Sequence, residues 1–124
     1  MKAAILRPDE AEEYFTPERC HILEMSNSQA DEGLSIARAR VEPGVTTRLH
    51  RLSDTNERYV ILSGTGRVEV GDLPATDVEC GDIVLIPPEI DQRITNTGDE
   101  NLVFVALCTP RFRQENYRDT QVED

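Results

Sequence analysis

Little in these 124 residues points to a cross-link, a membrane or a nucleic acid. There are three cysteines, Cys20, Cys80 and Cys108, and no CxxC pair. Neither a disulfide framework nor a zinc ribbon is implied, and free thiols suit a reducing compartment. No apolar run approaches the length of a membrane span. The start, MKAAILRPDE, has too few apolar residues ahead of Arg7 and Pro8 for a signal h-region. A soluble, cytoplasmic protein is the expectation. Basic residues are scarce, 13 against 24 acidic, for a net charge of −11. Such a chain repels phosphate backbones and anionic lipid, which argues against nucleic-acid and membrane partners. Beyond that, the charge speaks to solubility rather than to fold. Internal repeats and low-complexity tracts are also missing.

The length suits one domain with a modest core and room for a small cavity. Residues 1–33 read as an N-terminal arm with a short helix and a strand. In RPDEAEEYFTPER, Thr16, Pro17 and Glu18 have the chemistry of an N-cap, a first-turn proline and a dipole-matched acid, so one or two short helical turns are expected there. CHILEMS is a candidate strand and SNSQADEG a loop. From Leu34 onward, LSIARARV, TTRLHRL, RYVIL, RVEV, DIVLI, QRITN and NLVFVALC alternate with turns rich in Gly, Pro, Asn and Asp. Short β-branched strands at this spacing predict an all-β sandwich or barrel over 34–109. Residues 110–124 are polar and read as a tail or a short arm.

Within the barrel segment the punctuation is regular. Gly44 is followed by His50, Glu57 and Gly64; Gly81 is followed by Pro87, Gln92 and Asn96. The segment GVTTRLHRLSDTNERYVILSGTG resembles the first cupin motif, G(X)5HXH(X)3,4E(X)6G, and GDIVLIPPEIDQRITN resembles the second, G(X)5PXG(X)2H(X)3N. The resemblance implies a double-stranded β-helix, or jelly-roll, barrel. It also implies a metal held at four motif positions. Of these, His50 and Glu57 match in type, Gln92 matches in position only, and Leu52 cannot ligate. Glu89 stands where the family has a turn glycine. The resemblance further implies a homodimer whose N-terminal segments cross between partners, and a dioxygenase, isomerase or lyase acting on a small polar organic molecule. A non-catalytic small-molecule binding or sensing module with a degenerate site is the alternative.

The residues carry their own argument. Strand alternation places Arg48 and Leu52 with His50, Tyr59 and Ile61 with Glu57, and Ile94 and Asn96 with Gln92. A buried Glu57 is costly unless paired or metal-bound. Imidazole, carboxylate and amide oxygen suit one divalent ion, zinc, iron, manganese or nickel, with waters completing the shell. The other possibility is a metal-free cluster in which Glu57 accepts from His50 and Gln92. Arg48 could clamp an anionic ligand group or simply stand solvated at the rim. Tyr59 could act as an acid or pack in the core. Cys108 could line a cavity. Arg38 and Arg40 should face outward, and so should Arg93. His21 lies on a strand of unplaced position.

Overall fold

The computed structural model describes residues 1–122, and they form two antiparallel sheets packed face to face. The six-stranded sheet runs β1 (Tyr14–Phe15), β2 (His21–Ser26), β3 (Ser35–Val41), β10 (Leu102–Thr109), β5 (Asn56–Ser63) and β8 (Ile83–Ile86). The five-stranded sheet runs β11 (Tyr117–Asp119), β4 (His50–Leu52), β9 (Gln92–Asn96), β6 (Thr65–Val70) and β7 (Thr76–Glu79). The expected jelly roll is therefore present, with 3-10 turns at Glu10–Glu12, Gln29–Asp31 and Gln114–Asn116.

Burial follows the alternation. Along β5, Glu57, Tyr59 and Ile61 point inward; along β9, Gln92, Ile94 and Asn96 do. Ile61, Ile94, Leu102, Val41 and Phe104 form the middle of the core, each large side chain contributing about 1.5–3 kcal/mol by leaving water. The turn before β6 needs its glycine: Gly64 has φ +84°, and a Cβ there would lie 2.6 Å from the Asn101 carbonyl oxygen. Glu89, at the turn-glycine position, adopts φ +65°. Asn96 is a structural bracket. Its amide donates to the Val41 and Glu100 carbonyls, both at 2.8 Å, and its oxygen accepts from Gly98 N–H at 2.9 Å.

Two local readings change. The helical turn sits at Glu10–Glu12, capped by Asp9, and not at Thr16. Thr16–Arg19 is instead the β-turn of a hairpin, closed by Arg19 N–H to Thr16 O at 3.0 Å and Thr16 N–H to Cys20 O at 2.9 Å. Proline presets φ equally well for the first turn of a helix and for the second position of a β-turn, so T-P-E fits either, and strand pairing decided between them. The polar C-terminal stretch contributes β11, which pairs with β4 in the register Tyr117↔Leu52 and Asp119↔His50. Its affinity for a sheet edge lies in backbone groups, which composition does not reveal. The arm is tied down by Arg38 and Arg40, which do face outward: Arg38 reaches Glu10 at 2.6 Å and Glu13 at 3.1 Å, and Arg40 reaches Glu13 at 2.6 Å. Arg40, seconded by Arg38, holds the Glu13 carboxyl down at about 2.

Candidate functional site: a two-chambered barrel mouth

Six segments converge on the open end of the barrel. His50 opens β4, Glu57 and Tyr59 lie on β5, Gln92 opens β9, Cys108 is near the end of β10, Glu18 sits in the β1–β2 turn, and Tyr117 opens β11. Registers bring them side by side: His50 is opposite Gln92, and Glu57 is opposite Cys108.

The inner part is a closed hydrogen-bond chain between the sheets. The Tyr59 hydroxyl donates to Gln92 Oε1, Gln92 Nε2 donates to Glu57 Oε1 at 2.6 Å, and the Cys108 thiol donates to Glu57 Oε2 at 3.7 Å. Burial pushes the Glu57 carboxyl above its ordinary value of 4.5, against the attraction of His50 and the bond from Gln92. Burial also raises the Tyr59 phenol well above its ordinary value, and the Cys108 thiol, with the Glu57 charge adding to each.

His50 is engaged on both nitrogens. Nδ1 donates to the Arg48 carbonyl oxygen at 2.8 Å, which leaves Nε2 facing Glu18 Oε1 at 3.0 Å. With Nδ1 protonated, that contact requires one proton between Nε2 and the carboxylate. The Arg48 peptide fixes both partners, because its N–H also donates to the Glu18 carbonyl at 3.2 Å. The Tyr117 ring stacks on the imidazole, centroids 5.2 Å apart and planes 21° apart.

Two adjoining cavities meet at these residues. The smaller, about 70 Å³, is lined by His50, Leu52, Tyr59, Thr47 and Phe104; the larger, about 210 Å³, by Tyr14, Glu24, Ser35, Cys108 and Gln114. Glu18, Glu57, Phe112 and Tyr117 border both.

The structure thus gathers His50, Glu57, Gln92 and Tyr59 at one interior point and leaves Arg48 out. Arg48 precedes β4, where alternation no longer applies, and its guanidinium bonds Asp119 at 2.6 Å. His21 faces away, its ring against Phe15 at 4.8 Å. Glu18 and Tyr117 are the participants that sequence reasoning missed. The aromatic pair Tyr14-Phe15 followed by T-P-E-R and a strand is a hairpin signal that would have brought Glu18 to a turn; nothing comparable marks Tyr117.

The donor set does not fit a tightly held divalent ion. Leu52 offers no ligand atom. The Gln92 oxygen is taken by Tyr59, and its NH2 group, which cannot ligate, faces Glu57. Among the described residues, no three His, Cys, Asp or Glu side chains are grouped as a metal site.

A jelly roll with a partly enclosed, mostly apolar cavity at one end of the barrel is an architecture in which small-molecule sites occur. A family model for the cupin domain matches residues 37–108, and the chain belongs to that family. It is 30% identical to the uncharacterized protein MJ1618 of Methanocaldococcus jannaschii over 98% of this chain and 96% of that one. It is 27% identical to oxalate decarboxylase OxdC of Bacillus subtilis over 84% of this chain, but spans only 27% of that protein's length. Among solved structures, the Streptomyces nucleoside dehydratase Pac13 superposes with a TM-score of 0.78 at 16% identity, covering 98% of this chain and 95% of that one. A predicted oxalate decarboxylase of Thermotoga maritima superposes with a TM-score of 0.76 at 21% identity, covering 86% and 99%. These two likenesses show the fold.

Proposed function

We propose that this cupin is an enzyme of isomerase or lyase type that moves a proton on a small polar organic molecule held in the barrel mouth, with Glu18 and His50 as its acid–base pair. The observation that carries the reading is the 3.0 Å contact between His50 Nε2 and Glu18 Oε1 at the junction of the two cavities. A general acid–base pair needs a proton-bearing group with a fixed tautomer, within reach of substrate. Nδ1 is fixed by the Arg48 carbonyl, and the face of the imidazole is held by Tyr117. A ligand group entering the cavity would replace one side of the contact, taking a proton from His50 or giving one to Glu18. Tyr59 is bound inward to Gln92, so its place is in orienting Gln92 and Glu57 rather than in the first proton transfer. The nucleoside dehydratase named above shares this barrel.

The test is solvent exchange. Candidate sugars, nucleosides and hydroxy acids are incubated with the protein in D2O and followed by NMR for deuterium at carbon or for loss of water. Glu18→Gln and His50→Gln should each slow the reaction about 10²–10⁴-fold while leaving the circular dichroism unchanged. Retention of full activity in both variants would overturn the assignment.

Homodimerisation is proposed alongside. It is supported by exposed apolar side chains on edge strand β8 (Ile83, Leu85) and in the arm (Ile5, Leu6). Light scattering of the purified chain tests it: a monomer at micromolar concentration would rule it out.

A further inference from the structure

The charge pattern of the larger cavity says what class of molecule it admits; the step rests on the cavity being a small-molecule site, as proposed above. Its wall carries three carboxyl groups, Glu18, Glu24 and Glu57, and no lysine, arginine or histidine. Three aromatic side chains, Tyr14, Phe112 and Tyr117, share that wall. The Glu18–His50 contact holds one proton and so adds no net charge. Glu24 stands on β2 at the mouth and takes no hydrogen bond or ion pair among the described residues. The one cation that sequence parity offered to this space, Arg48, is bonded to Asp119 instead.

We infer that the cavity is built for a small, flat molecule whose polar end is a hydrogen-bond donor, an amine or a hydroxyl, and which bears no carboxylate or phosphate. An anionic group entering here meets carboxyls on several sides and no counter-charge. A hydroxyl or ammonium meets the unpartnered carboxyl oxygens of Glu24. The aromatic rings bury a flat body, and their faces attract an ammonium group. The donor end satisfies Glu24 at the mouth, and the flat body lies between Tyr14 and Tyr117.

Three probes with one ring and one chain length separate the possibilities: 2-phenylethylamine, 2-phenylethanol and 3-phenylpropionate, titrated into the full chain at neutral pH by calorimetry or ligand-observed NMR. The expected order is amine tightest, alcohol next, and carboxylate at least about tenfold weaker than the alcohol. Glu24→Gln should narrow the gap between amine and alcohol several-fold. Glu24→Lys should raise carboxylate binding to the level of the alcohol or above. A native chain that binds the carboxylate as well as the alcohol, or Glu24 variants that keep the native order unchanged, would overturn the charge assignment and leave the acid–base reading standing. If none of the three binds the folded protein at millimolar concentration, the assignment of the larger cavity to a flat hydrogen-bond donor falls, while the acid–base reading stands or falls on the solvent-exchange test.

Discussion

The inner network and the mouth of this barrel hold their polar groups in different ways. In the inner network, Tyr59, Gln92, Glu57 and Cys108 come from strands in the middle of the chain, and each bonds to a neighbour within the set. At the mouth, Glu18, Glu24 and Tyr117 come from the two terminal segments; sheet pairing and the Arg48 N–H hold their backbones, and their side chains meet the barrel strands at the Glu18–His50 contact and the Tyr117–His50 ring stack. The inner set has its polar atoms hydrogen-bonded to one another, which suits a structural role. The outer set has a free carboxylate and a shared proton beside open space, which suits chemistry. Satisfied buried networks add to stability, while sites with spare hydrogen-bonding capacity sit where ligands enter.

The sharpest way to break this contrast is to turn the inner network into a metal centre. Leu52→His together with Gln92→His places two more imidazoles beside His50 and Glu57, and zinc affinity measured by calorimetry should rise at least hundredfold over the native chain, about 3 kcal/mol. Equal affinity in native and double-variant proteins would show that the native donor set already suffices.

Next in size is Gln92→Leu. It strands both the Tyr59 hydroxyl and the Glu57 carboxyl in a buried space, and chemical denaturation should show a loss of about 2–4 kcal/mol. A loss this large from an inner residue, beside a small one from Glu18→Gln, is what the contrast requires.

Glu57→Gln refines the electrostatic side. The carboxyl of the folded protein holds its proton above the ordinary 4.5, so the native state binds more protons than the unfolded chain in the window just above that value. Stability therefore falls as pH rises through the folded-state value. Glu57→Gln should match the native chain in acid and exceed it by about 1–3 kcal/mol near neutral pH. Melting curves from pH 4 to pH 8 check the sign.

The smallest effect on stability belongs to the mouth. Asp119→Asn weakens the Arg48 tie that holds β11 across His50 and should lower the thermal-unfolding midpoint only slightly in a calorimetric scan. Binding of the amine probe in the larger cavity should weaken in the same variant, because Tyr117 is held less firmly over the imidazole.

The barrel itself was legible in the sequence. Period-two burial along Glu57, Tyr59 and Ile61 and along Gln92, Ile94 and Asn96 is a local property of extended backbone, and the turns at Gly64 and Gly81 are marked by residues that alone take positive φ at no cost. That parity also sufficed to bring His50, Glu57, Gln92 and Tyr59 to one interior. It failed at Arg48, one step outside the strand, where no alternation applies. It did not show which polar atom meets which: Glu57 pairs with Gln92 and Cys108, while His50 turns to Glu18. Glu18 lies 32 residues before its imidazole partner, and Tyr117 lies 67 after it. Contacts at such separations are made by sheet pairing and hairpin docking, which depend on backbone hydrogen bonds that every residue type offers alike. The sequence alone therefore determined the strands, their inward faces and the core, because these follow from side-chain chemistry repeated at fixed spacing. Only the tertiary structure decided how the two termini close over the barrel and which carboxylate shares the histidine's proton.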